Sequence, residues 1–446
     1  MTVPRFNVLA RLVALFGCWL ALAQESAVTN SAATGTTAPT SGTWQWFPSQ
    51  PSTLAMYLGG IDVYGTNALQ ADSTFPNDPL SRWVQDFKLE LAQIGLRETL
   101  FQSVSLVHLG DPVAGQSTLE YYAATFQGVW SVATTPSGIA TWLSFELDAQ
   151  TGLSSTSRSQ TPQANLGSLV NPQANVSGFR GVWMSEVAGQ FASSDGNMVL
   201  VAGLLDQANY LDVNAYANNS QSQFINNALL NNSALPLPPN NLGLNLQWQP
   251  SSLIYLLLGT SANNQTPGQA PTSELSFDNW SYLGELGFTP TNVFGLGPGT
   301  YRLQPFLATV QGHTQAGFGV NLQQQLGPTS PWGVFGRFGV SGTQVALQNV
   351  GWQGSAGIAL TDPLQSAGLV SSTSSDVLGF GGVWSQVARS SPQLYHANEY
   401  AVELFYSWQL TPTMKLQPDV QLYWNAAYRP DSGVTAVWQL QLNVIW

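Results

Sequence analysis

The chain has 446 residues, and only 8% of them are Asp, Glu, Lys or Arg, against roughly 25% in a typical soluble protein. Its mean hydropathy is close to zero, and beyond the N-terminus no apolar run reaches the ~20 residues that a membrane-spanning helix needs. These values exclude a disordered chain and a helical membrane protein. The net charge of −12 disfavours nucleic acid as a partner.

The N-terminus has the pattern of a secretory signal peptide, which we predict to span residues 1–23. Arg5 and Arg11 form its basic region, residues 12–22 are mostly apolar, and small residues precede the predicted cleavage point. Cys18 leaves a lipoprotein signal open as an alternative. If cleavage follows residue 23, the mature chain has no cysteine, and a disulfide or cysteine-metal site is excluded.

Residues 24–77 form an N-terminal segment that begins with a Ser-, Thr- and Ala-rich stretch. Its sequence leaves three alternatives open: a small packed segment, a plug of the barrel, or an adhesive segment. Residues 78–95 predict a short periplasmic amphipathic helix, because Asp78 can cap it, Pro79 suits its first turn and Gly95 can end it. Its apolar residues share one face: Trp83, Phe87, Leu91 and Ile94. An ordinary core helix of a soluble domain would show the same spacing.

From residue 96 onward the chain alternates apolar and polar residues, which is the period of a β-strand. Residues 433–446 show it most clearly: one face is apolar and the other carries mainly amides. The same pattern recurs at residues 242–249, 332–340, 400–410 and 414–424. Turn-forming residues separate these runs. The repetition predicts a sheet with lipid on one side and water on the other.

The spacing of aromatic residues favours a membrane over a soluble core. Trp438 and Trp446 share a face eight residues apart, as do Tyr400 and Trp408. Eight residues of a tilted strand rise about 20 Å, close to the ~25 Å apolar band of an outer-membrane barrel. A soluble β-sandwich or β-helix is the alternative, although sandwich strands are usually shorter. We therefore predict an all-β fold, a transmembrane antiparallel β-barrel spanning residues 96–446.

Pro418 lies inside one of the predicted strands. A closed barrel has no free edge that could accommodate a residue without a backbone N–H. We therefore expect a bulge, or a strand end above the bilayer, at this proline.

Three charged residues share the polar face of their strands: Arg337, Glu403 and Asp419. A charge on the lipid side costs ~2–4 kcal/mol near the midplane, so these side chains should face the lumen. Amides, sparse charges and aromatic rings suit a neutral polyhydroxylated solute. The alternative is that these residues brace the wall through ion pairs.

Signals of enzymatic chemistry are weak. The three histidines, at positions 108, 313 and 396, have no cysteine or carboxylate partners at metal-ligand spacing. The glycine-rich residues 295–299 lack the lysine of a phosphate-binding loop, and no nucleophile elbow is present. We predict no cofactor and no enzymatic activity, and keep an outer-membrane lipase or protease, or a structural or adhesive barrel, as alternatives.

Four segments resemble the OprB-type carbohydrate-selective porins of Gram-negative bacteria. Residues 83–96 are similar to the family's W-x-G-x-R-x-x-L-x-x-x-G-[IL] opening, and residues 199–227 to its G-K-x-D … F … N-S-x-x-F-x-N stretch. Residues 318–339 resemble its Q-Q … G-x-F-x-R-x-G pattern, and residues 398–425 its closing E-x-x-x-E-x-x-Y … P-D-x-Q-Y segment. The chain departs from the family at the arginine of the first segment and at the lysine of the second, where Leu204 stands.

The resemblance implies a barrel of 16 antiparallel strands in the outer membrane, as a monomer or homo-trimer, with passive uptake of sugars or similar small polar solutes. It implies no catalytic residue and no metal. The two missing basic residues put a preference for glucose in doubt. The family's recurrent positions supply the candidate pore-lining and solute-binding residues: Arg337, Glu403, Asp419, Gln421, Asp206, Asn219 and Phe224.

Overall fold

The structure is a computed structural model that describes residues 73–75, 78–135, 137–176, 178–238, 240–263, 279–310, 313–341, 349–369, 375–388 and 394–446. The predicted signal peptide and almost all of the predicted segment 24–77 lie outside these described residues. Both therefore stay predictions. Within the described ranges, none of the helices combines the length and the apolar character needed to cross a membrane.

Among the described residues, a helix of four turns precedes the strands and lies within the predicted residues 78–95. Asp78 accepts hydrogen bonds from the backbone N–H groups of Leu80 and Ser81, and Gly95 follows the helix with a φ of +78°. These are the N-cap and the C-terminal glycine expected from the sequence. The helices are α1 (Pro79–Gln93), α2 (Ser155–Ser159), α3 (Pro162–Leu166), α4 (Asn227–Leu230) and α5 (Pro363–Ser366), with a 3-10 turn at Gln207–Asn209.

Sixteen strands follow α1. They are β1 (Leu96–Leu109), β2 (Thr118–Thr134), β3 (Ala140–Gly152), β4 (Gly181–Ala192), β5 (Met198–Leu205), β6 (Asn241–Ser251), β7 (Ile254–Ala262), β8 (Trp280–Phe288), β9 (Gly299–Val310), β10 (His313–Gln325), β11 (Trp332–Val340), β12 (Val350–Thr361), β13 (Val377–Val387), β14 (Asn398–Thr411), β15 (Met414–Trp424) and β16 (Val434–Ile445).

Each strand pairs antiparallel with its neighbours in the chain, and β16 pairs with β1 to close the sheet. In that closing ladder Ser105 lies opposite Gln441 and Leu106 opposite Leu440, so polar residues meet polar and apolar meet apolar. A closed sheet leaves no edge with unpaired backbone groups. The predicted 16-stranded antiparallel β-barrel is confirmed.

The alternation in sequence is the alternation of the barrel's two faces. On β14, Ala401, Glu403 and Phe405 point inward and are buried. Leu404 and Trp408, at positions of the opposite parity, point outward, and their side chains are 50% and 37% exposed. Large exposed apolar residues recur on the outer faces of the other strands, while inward positions carry many buried Gln, Asn and Ser side chains. The wall is therefore apolar outside and amide-rich inside.

The connections differ in length at the two ends of the barrel. At the end where β1 begins, here called the α1 end, several connections are short turns, such as residues 193–197, 252–253 and 412–413. The two longest connections, residues 153–180 and 206–240, lie at the opposite end, here called the loop end. Long connections at one end and short ones at the other are typical of outer-membrane barrels.

The prediction of a bulge or a strand end at Pro418 is wrong. Pro418 lies in the middle of β15, opposite Leu440 of β16, and the register with β16 runs through it unbroken. On the other side, the ladder to β14 has no pairs between Phe405↔Asp419 and Trp408↔Leu416, yet the register does not shift. The strand tolerates proline by giving up pairing locally on one side.

Candidate functional site: the barrel interior

Two connections at the loop end fold into the barrel. We call residues 153–180 the first inward segment and residues 206–240 the second inward segment. One apolar cluster contains Leu166 of the first, Phe224 and Leu229 of the second, and the inward-facing wall residues Val107 and Phe335. Such packing requires both segments to lie against the inner wall.

Arg337 of β11 holds the second inward segment. Its Nε lies 3.1 Å from Asp212 Oδ2, and its Nη atoms donate to the carbonyl oxygens of Leu229 at 2.8 Å and Ala217 at 2.7 Å. Both members of the ion pair have fully buried side chains. Arg337 therefore points inward, as predicted, and is saturated with contacts to the protein itself.

Glu403 of β14 is a second anchor of the same segment. Its carboxylate accepts hydrogen bonds from the backbone N–H groups of Ile225 at 2.6 Å and Asn226 at 2.9 Å. The neighbouring Phe224 is fully buried, and its ring lies edge-on to Phe335 and Phe405 at centroid distances of 5.2 and 4.8 Å. A charged anchor and an aromatic anchor thus lie side by side.

Gln421 of β15 ties the two inward segments together, and Asp419 bonds Gln421 from the same strand. Gln421 Nε2 donates to the carbonyl of Pro172 at 2.9 Å and to Asp419 Oδ1 at 3.0 Å. Gln421 Oε1 accepts from Asn226 Nδ2 at 3.0 Å. A single wall amide therefore bonds both segments, and the neighbouring carboxylate accepts a hydrogen bond from that amide.

The last two predicted residues are partly exposed. Asp206 caps the 3-10 turn by accepting from the backbone N–H of Ala208 at 2.9 Å, and Asn219 caps a turn by accepting from Gln221 N at 2.8 Å. The structure thus buries five of the seven predicted residues: Arg337, Glu403 and Gln421 bond the inward segments, Phe224 belongs to one of them, and Asp419 bonds Gln421 and Gln439 of the wall. Whether any of the seven touches a solute stays a prediction.

Other anchors were missed by the sequence analysis. Asp212 has a φ of +63° and lies outside any periodic run, so no pattern identified it as the partner of Arg337. Glu285 of β8 accepts from Gln304 at 2.8 Å and pairs with Arg302, whose Nε lies 3.4 Å from the carboxylate. Both Glu285 and Arg302 alternate with apolar residues in sequence, and that signal could have found them.

A polar strip on β2 and β3 remains partly exposed inside the barrel. It consists of Thr125, Gln127 and Asp148. Thr125 lies directly opposite Asp148 and donates to it at 2.5 Å, while Gln127 lies opposite the inward-facing Glu146. Most inward-facing side chains of β5–β16 are buried. The strip is therefore the part of the described wall that the inward segments leave most open.

The second inward segment faces this strip with its first turn. Asn209 Nδ2 donates to Glu146 Oε2 at 3.0 Å, and Tyr210 donates its hydroxyl to Glu186 at 2.6 Å. Glu146 and Glu186 lie directly opposite each other on β3 and β4. Asp206 therefore starts the segment beside several wall carboxylates.

These surroundings raise the pKa of Asp206 to about 7, chiefly because burial penalises its charged form. The Ala208 N–H opposes the shift, and the carboxylates of Asp148 and Glu186 add to it. A carboxyl whose pKa is higher in the folded protein than its ordinary 3.8 stabilises the fold in its protonated form. This contribution to stability is complete below pH 3.8. This stabilisation is lost as the pH rises through about 7.

We therefore expect D206N to reduce the pH dependence of stability. Asn keeps the cap and removes the titrating group. The melting temperature in detergent should fall between pH 5 and pH 8 in the wild-type protein, and less in D206N. Equal falls in both proteins would contradict the assignment. N219D, at the other partly exposed capping residue, serves as a control for a new carboxylate away from the cluster.

Two histidines have polar partners in the part of the barrel that the structure describes. His108 Nδ1 lies 2.9 Å from Thr118 Oγ1, and His396 Nε2 lies 3.0 Å from the carbonyl of Asp431. In the same described residues, His, Cys, Asp and Glu form no group of three or more that could hold a metal ion.

The chain is similar to known porins in sequence and in fold. Residues 308–444 match the family model of the carbohydrate-selective porins of the OprB family. The chain is also similar to a solved structure of Pseudomonas putida OprB at high pH, with a TM-score of 0.67 and 15% sequence identity. That match covers 84% of this chain and 100% of the other. The resemblance to the OprB family is confirmed.

Curated relatives include Porin AaxA of Chlamydia felis, 26% identical over 241 residues, and Porin AaxA of Chlamydia trachomatis, 27% identical over 240 residues. These alignments cover 52% of this chain in both cases, and 51% and 49% of the relatives. The chain therefore spans about half the length of the curated relatives that it matches.

Proposed function

We propose that this chain, which carries a domain of the OprB family of carbohydrate-selective porins, is a passive channel in the outer membrane of a Gram-negative bacterium. The observation that carries the proposal is the contrast between the two faces of one closed barrel. The outer face exposes large apolar side chains, and the inner face carries amides, hydroxyls and paired charges. Only lipid outside and water inside satisfy both faces.

We propose further that solutes pass along the polar strip of β2 and β3. Thr125, Gln127 and Asp148 are partly exposed there, and Asp206 and Asn209 face them from the second inward segment. Amide, hydroxyl and carboxylate groups exchange hydrogen bonds with the hydroxyl groups of a sugar. Several weak contacts of this kind let a solute enter without being trapped. Small neutral hydroxylated solutes are therefore the favoured substrate class.

Transport of this kind needs no catalytic residue and no cofactor, because the solute follows its own gradient. The proposal is tested by reconstituting the purified protein in planar bilayers. We expect a steady ion conductance that falls when mono- or disaccharides are added. A membrane-inserted protein without conductance would favour the structural or adhesive barrel, and hydrolysis of lipid or peptide by the same preparation would favour the enzyme.

A substitution on the strip should narrow the route. Q127W puts an indole in place of a partly exposed inward amide that borders the open part of the interior, so conductance and sugar-driven liposome swelling should fall several-fold. F126W, one residue away on the outward face of the same strand, is the matched control and should change neither value. A wild-type conductance in Q127W would exclude this strip as the route.

A further inference from the structure

Helix α1 packs against the α1 end of the barrel. Lys88 donates to the carbonyl of Glu98, and its Nζ lies 3.6 Å from the carboxylate of the same residue. Ser81 Oγ lies 3.1 Å from Thr413 Oγ1 in the turn between β14 and β15. Val84 and Leu91 are almost fully buried on the same face of the helix. The buried face of α1 is therefore covered by the barrel.

A second, exposed flank of α1 carries large apolar residues. Trp83 is 46% exposed and Ile94 is 57% exposed. The two residues are eleven positions apart, which brings them to within about 20° of each other around a helix axis. Glu90 lies between them on the same flank. The flank therefore combines an indole and an aliphatic side chain with one carboxylate.

This flank adjoins the outward face of the barrel. The ring of Trp83 lies edge-on to that of Trp446, with the centroids 6.4 Å apart, and Trp446 follows the outward positions of β16. Trp130, on the outward face of β2 and 48% exposed, donates its indole N–H to the carbonyl of Ile94 at 3.1 Å. The outward side of the barrel thus adjoins this flank of α1 through two tryptophans.

We infer that the flank of α1 that carries Trp83 and Ile94 lies in the headgroup region of the bilayer. The occupant is phospholipid of the leaflet at the α1 end, and the inference rests on the proposed membrane location of the barrel. Indole rings favour the membrane–water interface, and outer-membrane barrels carry aromatic girdles at that height. Glu90 keeps the contact at headgroup level, because a carboxylate is costly in hydrocarbon. Together, α1 and the two outward tryptophans form an interfacial anchor.

Site-directed spin labelling tests the inference in the full chain. In a C18S background, single cysteines replace Trp83 and Ile94, and the labelled proteins are placed in vesicles of phosphatidylethanolamine and phosphatidylglycerol. L89C is the matched control: Leu89 is also apolar and 43% exposed, but lies about 120° around the helix from Trp83. L440C, on the outward face of β16, reports the bilayer itself.

We expect labels at positions 83 and 94 to collide several-fold more often with oxygen than with a water-soluble nickel chelate, relative to the label at 89. The label at position 94 reports on the same flank in a protein that keeps Trp83, so both labels would have to agree. Equal, water-like accessibility at 83, 94 and 89 with a lipid-like label at 440 would overturn the inference and leave the channel standing. Labels at 83 and 94 shielded from both reagents would also overturn it, since protein rather than lipid would then cover the flank. A water-like label at 440 would instead overturn the proposed function.

Discussion

Replacing Arg337 by alanine is expected to detach the second inward segment from the wall. The change leaves Asp212 as a buried charge without its partner and removes donors from the carbonyl groups of Ala217 and Leu229. Breaking a buried ion pair in this way costs about 3–5 kcal/mol. Because the inward segment occupies the interior, the single-channel conductance should rise and fluctuate, and the segment should become sensitive to added protease.

The control for this variant is R429A. Arg429 also pairs with two carboxylates, those of Asp111 and Asp431, but these carboxylates are largely exposed. Arg429 itself is buried, but its removal leaves no buried charge without a partner, so R429A should keep the wild-type conductance. Heat-modifiable migration in gels shows that the barrel has folded in both variants. A folded R337A protein with wild-type conductance and protease resistance would show that the ion pair does not hold the segment.

Phe224→Ala is expected to have an effect of similar size through packing alone. The ring is fully buried between Phe335 and Phe405, so its removal leaves a cavity inside the barrel. Truncation of a buried phenylalanine costs about 3–5 kcal/mol. The midpoint of denaturant unfolding in detergent should fall, and conductance fluctuations should increase as in R337A.

Phe380→Ala is the matched control for the packing variant. Phe380 lies on the outward face of β13 and is 51% exposed, so its ring contacts few protein atoms and its loss should change the midpoint little. Equal losses in the two variants would mean that the Phe224 side chain has no special role in holding the segment.

The barrel class was predictable because a strand has a period of two. The alternation in residues 433–446 separates the two faces without any tertiary information, and the structure puts those faces outside and inside. The same parity correctly predicts that Arg337, Glu403 and Asp419 point inward. The number of strands came from the family resemblance, since strands of varied length and long connections do not fix it.

The inward segments were not predictable, because parity says which way a side chain points and not what covers it. Residues 206–240 contain no run of regular alternation, so their path through the interior depends on contacts with strands that lie far away in sequence. The alternative kept for the charged residues, that they brace the wall, agrees with the contacts of Arg337 and Glu403. Their bracing acts between the wall and an inward segment.

The anchoring of the second inward segment also constrains the order of folding. Residues 206–240 are followed by eleven further strands, and their anchors include Arg337, Glu403 and Gln421, the last of which bonds Asn226 from 195 positions away. Contacts between such distant residues form slowly, because a long loop must close first. The segment cannot settle until the late strands exist. The strands of the wall therefore assemble before the second inward segment takes its final position. A chain lacking β14–β16 would leave that segment without its anchors Glu403 and Gln421.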